Sequence, residues 1–251
     1  MICTVPVSPM RAEPAHQHEI VSQLLFGEAV ELLETGSKGW LRVKCCYDNY
    51  EGWVTQTHLT ETPGETLFGA AIAGNWVNTV LQNGKPMHIP FGAMLPAEDH
   101  ITTASFEWDF TGVKRVTPQP FSAPQFLTIA NTFLNTAYMW GGRSVFGIDC
   151  SGFAQQVFKH FSIAIPRDAC LQVALGEGLG FLQEAKLGDL AFFDEPDGRI
   201  THVGILLNDH EIIHASGKVR IDTIDSQGII SSDTGLRTHQ LRVIKRFIPG
   251  V

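Results

Sequence analysis

Short apolar segments separated by turn residues dominate the first quarter of the chain. These segments cover residues 19–21, 29–34, 40–44 and 52–54, and residues such as glycine, asparagine, aspartate and serine stand between them. Short strands at close spacing with such turns are typical of a small β-barrel. The pattern therefore predicts one barrel over residues 1–61.

The next segment, residues 62–117, shows a weaker version of the same pattern. Residues 75–80 and 85–90 are predicted to be two strands around Asn83-Gly84, a preferred hairpin turn, and residues 91–95 resemble a loop. The position of this segment after the first barrel and its several predicted strands favour a second, degenerate barrel.

A proline-rich stretch follows the second predicted barrel. Pro118, Pro120 and Pro124 disfavour helix and cannot donate the hydrogen bonds of a sheet. We therefore begin a third domain there, which extends over residues 118–251.

The third domain changes to helical and buried-strand patterns. Apolar residues recur at helical spacing over residues 124–136 and again at positions 153, 154, 157, 158 and 161. A short helix is predicted at residues 171–175. Residues 200–207 and 211–216 flank three turn residues, which is a β-hairpin pattern. This part of the chain is therefore predicted to be an α+β domain.

Composition describes an ordinary globular chain with excess negative charge. Hydrophobic residues form 44% and charged residues 18% of 251 residues, and the formal net charge is −8. This charge argues against binding to nucleic acid or to an anionic membrane surface. The sequence shows no signal peptide and no apolar stretch long enough to span a bilayer.

Cysteine usage indicates the cellular compartment. An odd number of cysteines with one adjacent pair is a poor disulfide framework, and no Cys-x-x-Cys spacing suggests structural zinc. We expect reduced thiols in the cytoplasm, no cofactor, no metal and a monomeric chain. The five cysteines are Cys3, Cys45, Cys46, Cys150 and Cys170.

Cys150 is the first candidate for chemistry. It follows a glycine-rich turn and precedes the helical pattern over residues 153–161, so it is predicted to lie near a helix N-terminus. Unpaired backbone N–H groups and the helix dipole favour an anion there, which lowers the pKa of a thiol. The alternative is a small buried hydrophobic residue, the commonest role of a free cysteine.

His202 and His214 are the second candidates. A turn centred near Asn208 would place the two imidazoles directly opposite each other on neighbouring strands, on the same face. For the other histidines a solvated or incidentally buried side chain is the better expectation. These are His16, His18, His58, His88, His100, His160 and His239.

Together these residue types suit nucleophilic catalysis. A thiolate at Cys150 would attack a carbonyl carbon, and His202 would take the proton and return it. His214 would orient His202, because a neutral histidine accepts an N–H as well as a carboxylate does. The backbone N–H of Cys150 and a side-chain donor would meet the oxyanion.

The motifs of the third domain resemble the NlpC family of bacterial cell-wall cysteine peptidases. The resemblance implies a papain-like α+β domain, a Cys-His-His triad and a hydroxyl from Tyr138 at the oxyanion site. The motifs, in chain order, are Tyr138-x-Trp140-Gly141-Gly142, Asp149-Cys150-Ser151-Gly152-Phe153, Pro166-Arg167-Asp168, Gly188-Asp189-Leu190, His202-Val203-Gly204-Ile205 and Ile213-His214-Ala215.

Two short sequence motifs near the N-terminus resemble the bacterial SH3-like domain. They are Gly39-Trp40-Leu41-Arg42-Val43 and Tyr50-Glu51-Gly52-Trp53-Val54. Two SH3-like β-barrels before an NlpC-type domain resemble the γ-D-glutamyl-L-diamino acid endopeptidases of peptidoglycan recycling. That group cuts L-Ala-γ-D-Glu-diamino acid peptides whose N-terminal alanine is free.

This second resemblance implies roles for further residues. Asp168 and a barrel carboxylate, for which Glu13 is the candidate, would bind the substrate ammonium group. Tyr50 would exclude longer substrates, and Trp140 and Ser151 would line the cleft. The group often has serine after the Arg-Asp pair, where this chain has Ala169, so one substrate hydrogen bond is in question.

Three alternatives remain open from the sequence. Cys150, His202 and His214 are also legitimate ligands for a catalytic zinc ion. The domain could act as a thiol-dependent amidase or acyltransferase on another substrate. The chain could also be a cell-wall-binding protein without activity, although all three members of the triad are present.

Overall fold

A computed structural model describes residues 1–61, 68–103 and 105–248. Contacts divide the chain into two compact units. The first comprises residues 1–119 and 140–146, and the second comprises residues 120–139 and 147–251. Within the described residues, no helix combines the length and the apolar character that crossing a membrane requires.

The N-terminal part of the first unit is built from antiparallel strands. Strands β2 to β6 form one five-stranded sheet in the order β3-β2-β6-β5-β4, and β1 pairs with β7. The strands are β1 Ile2–Cys3, β2 Val7–Arg11, β3 Ile20–Leu25, β4 Val30–Thr35, β5 Trp40–Cys45, β6 Glu51–Thr55 and β7 Leu59–Thr60, with a 3₁₀ turn at Gln56–His58.

Buried and exposed residues alternate along these strands, and the buried ones form a core. Leu41 and Val43 on β5 and Val54 on β6 are buried, while Arg42 between the first two is exposed. Period-2 alternation of this kind places one face of a sheet inward. The predicted strands at residues 29–34, 40–44 and 52–54 are confirmed as β4, β5 and β6.

The rest of the first unit forms two further sheets around a second core. One sheet has the order β10-β9-β13-β12 and the other β11-β8-β14. The strands of these sheets are β8 Phe68–Ala73, β9 Val77–Gln82, β10 Lys85–Pro90, β11 Met94–Pro96, β12 His100–Thr102, β13 Glu107–Asp109 and β14 Arg115–Val116. Later in the chain, β15 Arg143–Ser144 also belongs to this unit but to neither of these two sheets.

The Asn83-Gly84 hairpin is confirmed. Gln82 pairs with Lys85, and Asn83 and Gly84 both have positive φ angles, of 50° and 73°. A two-residue turn of this type requires such angles, which asparagine and glycine tolerate best. The loop predicted at residues 91–95 is wrong in part, because β11 begins at Met94. The first residues of the predicted second barrel, 62–67, lie outside the described residues.

A buried ion pair ties residues 140–146 into the first unit. The guanidinium of Arg143 donates to both carboxylate oxygens of Glu28, at 2.8 and 3.0 Å, and to the carbonyl of Gln23 at 2.6 Å. Both charged side chains are about 1% exposed. Glu28 also accepts the backbone N–H of Leu25 at 3.0 Å, and such burial is tolerated because these hydrogen bonds compensate for the lost hydration of the charges.

The described residues of the second unit, which end at residue 248, include three α-helices. Helix α1 is preceded by Ser122 and has Pro124 in its first turn, where the missing N–H is no loss. The helices are α1 Ala123–Thr132, α2 Cys150–Lys159 and α3 Ala169–Gln172. Each lies within a few residues of a predicted helix, and α2 packs against two neighbouring strands of the sheet.

The sheet of the second unit closes on itself. The order is β17-β23-β18-β19-β20-β21-β22, and a further pairing of β22 with β23 completes a ring of six antiparallel strands. The strands of this unit are β16 Gly147–Ile148, β17 Glu177–Leu179, β18 Leu190–Asp194, β19 Ile200–Leu206, β20 Glu211–Ser216, β21 Lys218–Asp225, β22 Gly228–Ile230 and β23 Arg237–Arg246; a 3₁₀ turn spans Leu182–Glu184.

Candidate active site

Cys150 is the first residue of helix α2, as its sequence position predicts. Asp149 is the N-cap, and its carboxylate accepts the backbone N–H of Gly152 at 2.7 Å. The Cys150 thiol is buried and points its hydrogen toward the carbonyl oxygen of Thr201, with 3.9 Å between sulfur and oxygen. The nucleophile candidate therefore lies against the strand that carries His202.

The prediction that the helix lowers the pKa of Cys150 is wrong. The pKa of the thiol is raised to about 12, first by burial and then by the neighbouring carboxylate of Asp149. Arg167 and backbone N–H groups lower it by less. The Asp149 N-cap supplies the negative charge that the helix terminus favours, so little of that stabilisation remains for a thiolate. Cys150 is therefore a neutral thiol at rest and requires a base.

A polar cluster fixes the start of this helix. Arg167 donates to both oxygens of Asp149, with 3.0 Å to Oδ1, and to the hydroxyl of Ser151 at 2.9 Å. All three residues are buried. A bidentate pair of this kind restricts the geometry of both partners. Ser151 was predicted to line the cleft, and the structure places its hydroxyl within this buried cluster.

The hairpin is confirmed, but its predicted register is wrong. His214 lies opposite Gly204 on β19 rather than opposite His202, so the two histidines are diagonal neighbours. The offset of two residues keeps both side chains on the same face of the sheet, within reach of long or aromatic groups. His202 Nε2 and His214 Nδ1 are 2.8 Å apart, a hydrogen bond between buried rings.

Gly204 makes the diagonal contact sterically feasible. A Cβ atom at this position would lie 2.6 Å from the Cδ1 atom of Ile212 and 2.9 Å from the Cβ atom of His214. Both distances are shorter than real Cβ contacts, so a side chain would displace the histidine. The glycine in the His202-Val203-Gly204 motif thus has a packing reason.

Asp222 is a functional candidate that sequence reasoning missed. On β21, Arg220 lies opposite His214, and Asp222 is the next residue on the same face. His214 Nε2 is 3.0 Å from Asp222 Oδ2. The other oxygen of Asp222 accepts from Ser232 and from Arg220. Burial raises the pKa of this carboxyl, but the hydrogen bonds from His214, Ser232 and Arg220 outweigh burial and hold the pKa well below its usual range. Counting the register onward from the turn at Gly217 would have found this residue.

The ionised carboxylate fixes the tautomers of both imidazoles. An ionised Asp222 only accepts hydrogen bonds, so His214 carries its proton on Nε2. When His214 is neutral, its Nδ1 is an acceptor, and His202 must donate from Nε2. The Nδ1 atom of neutral His202 then holds the free lone pair. Burial keeps the pKa of His202 well below 6.5, so this base is neutral at pH 7.

His239 was predicted to have no special arrangement, and this prediction is wrong. Its ring stacks on His202 with centroids 4.2 Å apart and planes inclined by 26°. Burial lowers its pKa to about 4, with a further contribution from His214. Residue 239 lies on β23, more than 30 residues beyond His202, so no local pattern indicates this contact.

Tyr138 stands close to the reacting groups. Its backbone N–H donates to Gly217 at 2.9 Å, and its side chain is half-buried. Burial raises the pKa of its phenol, and the proximity of Cys150 and of the Asp149 carboxylate raises it further. The hydroxyl therefore stays protonated and can donate a hydrogen bond. Tyr138 and His202 line the same cavity in the second unit.

The remaining predicted residues lie in different surroundings. Asp168 is the residue before α3, where its carbonyl accepts from Leu171 and Gln172, and the adjacent Ala169 is buried. Within the first unit, three residues predicted to contact substrate can be placed. Trp140 is exposed and donates to Glu19 at 2.6 Å, Glu13 is exposed with its carboxylate 3.5 Å from His18, and Tyr50 is half-buried against the first core.

The geometry bears on the zinc alternative. Nε2 of His202 and Nδ1 of His214 face each other in a hydrogen bond, which a metal bound by both nitrogens would have to break. Among residues 1–61, 68–103 and 105–248, no group of three or more histidine, cysteine or acidic side chains is arranged to hold a metal ion. The hydrogen bond between the two rings suits the orienting role predicted for His214.

Comparison with known proteins identifies the family. The model of the NlpC/P60 family matches residues 135–238, and that of the bacterial dipeptidyl-peptidase SH3 domain matches residues 10–59. The γ-D-glutamyl-L-lysine dipeptidyl-peptidase of Bacillus subtilis is 32% identical over 216 residues, which cover 78% of this chain and 72% of the relative. The chain belongs to the NlpC/P60 family.

Two further comparisons cover most of the chain. Dipeptidyl-peptidase 6 of Lysinibacillus sphaericus is 24% identical over 253 residues, with 86% of this chain and 88% of the relative covered. The crystal structure of an NlpC/P60 family protein from Bacillus cereus superposes with a TM-score of 0.82 over 99% of both chains, at 19% identity. This last similarity concerns the fold.

Proposed function

We propose that this NlpC/P60 protein is a cysteine peptidase that hydrolyses the bond between γ-D-glutamate and a diamino acid in peptidoglycan-derived peptides. The observation that supports this proposal most directly is the hydrogen-bonded series His202–His214–Asp222 beside the Cys150 thiol. The substrate class is supported by relatives named for γ-D-glutamyl-L-lysine dipeptidyl-peptidase and dipeptidyl-peptidase 6 activity.

The proposed reaction begins with proton transfer. Because Cys150 is a neutral thiol and His202 a neutral base, the proton moves from sulfur to His202 as sulfur attacks the γ-carbonyl carbon of D-glutamate. The backbone N–H of Cys150 and the hydroxyl of Tyr138 donate to the oxyanion. His202 then protonates the leaving amine, and a thioester with L-Ala-γ-D-Glu remains on Cys150.

Water completes the cycle. His202 removes a proton from a water molecule, and the resulting oxygen attacks the thioester carbonyl. The thiolate leaves and recovers a proton from His202, which restores both neutral groups. His214 and Asp222 hold the ring of His202 in the tautomer that both steps require.

We also propose that a free N-terminal alanine is required, with Asp168 binding its ammonium group. Asp168 is partly buried. A partly desolvated carboxylate binds an ammonium group favourably, and an acylated nitrogen carries no positive charge, so we expect the acylated peptide to bind less well. The roles of Glu13, Tyr50 and Trp140 remain predictions from the resemblance. This chain has Ala169 where the group often has serine, so the hydroxyl of that serine is missing here. We propose no substrate contact for Ala169.

We also propose a division of the chain into three domains. Residues 1–61 form a first SH3-like barrel, 62–117 a second, and 118–251 a papain-like peptidase domain. The match of the SH3 domain over residues 10–59 and the second hydrophobic core around Phe68, Trp108 and Phe110 support this division. The five free thiols support a reducing compartment, such as the cytoplasm.

A hydrolysis assay with a matched substrate pair tests the function and the amine requirement together. L-Ala-γ-D-Glu-L-Lys and its N-acetylated form are incubated with the protein, and products are measured by mass spectrometry. We expect cleavage of the free-amine peptide and a loss of roughly 100-fold or more for the acetylated one. Asp168→Asn should narrow this difference, whereas Asp209→Asn, an exposed acid on a turn, should preserve it.

The outcomes separate the two parts of the proposal. Equal cleavage of both peptides would remove the amine role of Asp168 and leave the cysteine mechanism in place. Cleavage of neither peptide would contradict the proposed function.

A further inference from the structure

The second unit contains a cavity of about 350 Å³ beside the catalytic base. Tyr138 and His202, which the proposed reaction uses, form part of its wall. Glu195, Ser216 and His239 line it as well and have no role in that reaction. The volume is at the lower end of the range typical of small-molecule sites.

The position of His202 decides which half of the substrate this cavity receives. A general acid must lie within hydrogen-bond reach of the atom that it protonates, which here is the nitrogen of the leaving amine. The leaving half of the peptide therefore extends from a point beside His202. The cavity offers that half a walled space next to the base.

The charge of the cavity wall suits a cation. Glu195 is the one acidic residue among the eight lining residues, and both histidines in the wall have lowered pKa values and are neutral at pH 7. The wall therefore carries a single negative charge. A leaving lysine or related diamino acid carries one ammonium group on its side chain.

Glu195 is available for such a contact. Among the described residues its carboxylate forms no hydrogen bond or ion pair, while the nearby arginines bind other acids. Arg199 donates to Asp197 at 2.6 Å, and Arg242 lies 3.7 Å from Asp194. Glu195 influences Arg199 only weakly, since the raised pKa of that arginine comes first from its hydrogen bond to Asp197.

We propose that this cavity binds the diamino acid that the reaction releases, and that Glu195 binds the ammonium group of its side chain. The proposal rests on the proposed function and extends it to the leaving half of the substrate. An ion pair at Glu195 would give this protein a means of distinguishing a diamino acid from an apolar residue in the leaving half.

An isosteric substrate pair tests the proposal. L-Ala-γ-D-Glu-L-Lys is compared with L-Ala-γ-D-Glu-L-norleucine, which has nearly the same side chain without the ammonium group. We expect the protein to prefer lysine by about five-fold in kcat/KM, the size of effect typical of a solvent-accessible ion pair. Glu195→Gln should reduce this ratio to about one, and 1 M salt should reduce it in the same direction.

Glu34→Gln is the matched control. It makes the same change of side chain and of net charge on an exposed strand of the first unit, and the lysine-to-norleucine ratio should stay at its original value. Thermal unfolding of both variants checks that they are folded.

Three outcomes would overturn the proposal while leaving the proposed function intact. The protein could cleave both peptides with equal kcat/KM. Glu195→Gln could lower both values in proportion, which would indicate a general structural effect. The variant could instead change the discrimination against N-acetylated substrate, which would place the acyl half in the cavity. Cleavage of neither peptide by the unaltered protein would reject the proposed function itself.

Discussion

Cys150→Ala is expected to abolish turnover of L-Ala-γ-D-Glu-L-Lys, with a fall in kcat of at least about 10⁴-fold. The alanine side chain lacks the sulfur that attacks the carbonyl, and no other cysteine is placed to replace it. Cys3 and Cys45 are buried in the first unit, while Cys46 and Cys170 are exposed. Product formation measured by mass spectrometry at enzyme concentrations near that of substrate gives the necessary range.

Two controls make this result specific. Cys170→Ala removes an exposed thiol on the neighbouring helix α3 and should leave kcat within about two-fold of the original value, as expected for a substitution away from the reacting atoms. The thermal midpoint of Cys150→Ala should stay close to that of the unaltered protein, because the change removes one buried atom. Turnover by a folded Cys150→Ala variant would exclude Cys150 as the nucleophile.

His202→Ala is expected to produce the second-largest loss, about 10²- to 10⁴-fold in kcat, the usual contribution of a general acid–base group. The effect should be near the upper end because the thiol has a pKa raised to about 12 and forms little thiolate without a base. The pH profile provides a further measurement. Since burial holds the pKa of His202 well below 6.5, His202 stays neutral as the pH falls toward that value, so the acidic limb of kcat/KM should lie below pH 6.5.

His214→Ala should leave measurable activity, because this residue orients the base and does not exchange protons with substrate. We expect a loss of about 100-fold, of the order caused by small misplacement of a catalytic group. Asp222→Asn should have a smaller effect in the same direction, since its amide oxygen can still accept from His214. Full activity of either His202→Ala or His214→Ala would contradict the assigned roles.

Local sequence signals predicted several elements in both units, including those that carry the site. The helical period after Cys150, the Asn83-Gly84 turn and the apolar segments around residues 208–210 each depend on neighbouring residues only, and each corresponds to an element of the structure. The candidate catalytic side chains could also be predicted from local sequence. Their chemistry is set by residue identity, and their pairing by one short hairpin.

The register of that hairpin required knowledge of its turn. Asn208 accepts the backbone N–H groups of His210 and Glu211, and Leu207 donates to Glu211 at 2.9 Å. This side-chain-stabilised turn has its centre at Asp209, one residue later than predicted, and so shifts the strand pairing by two residues. Because the shift is an even number of residues, both histidines stay on the same face of the sheet. The predicted contact between them is therefore present although the predicted register was wrong.

Features that depend on distant residues were not predictable. The pKa of Cys150 is governed by burial and by Asp149, and burial is a property of the packed domain. His239 reaches His202 through pairing of β18 with β23, strands separated by more than 40 residues. Asp222 follows a second hairpin whose register had to be known first. The missing information was the packing of the domain for Cys150, the pairing of β23 for His239 and the register of the second hairpin for Asp222.

The most direct test of the central claim is to identify the bond that is cut. L-Ala-γ-D-Glu-L-Lys and the isomer joined through the α-carboxyl group of glutamate are incubated separately with the protein, and every product is identified by mass spectrometry. We predict free lysine and L-Ala-γ-D-Glu from the first peptide, and slow or no cleavage of the isomer. Release of alanine, or equal cleavage of both isomers, would contradict the claim that this protein hydrolyses γ-D-glutamyl bonds.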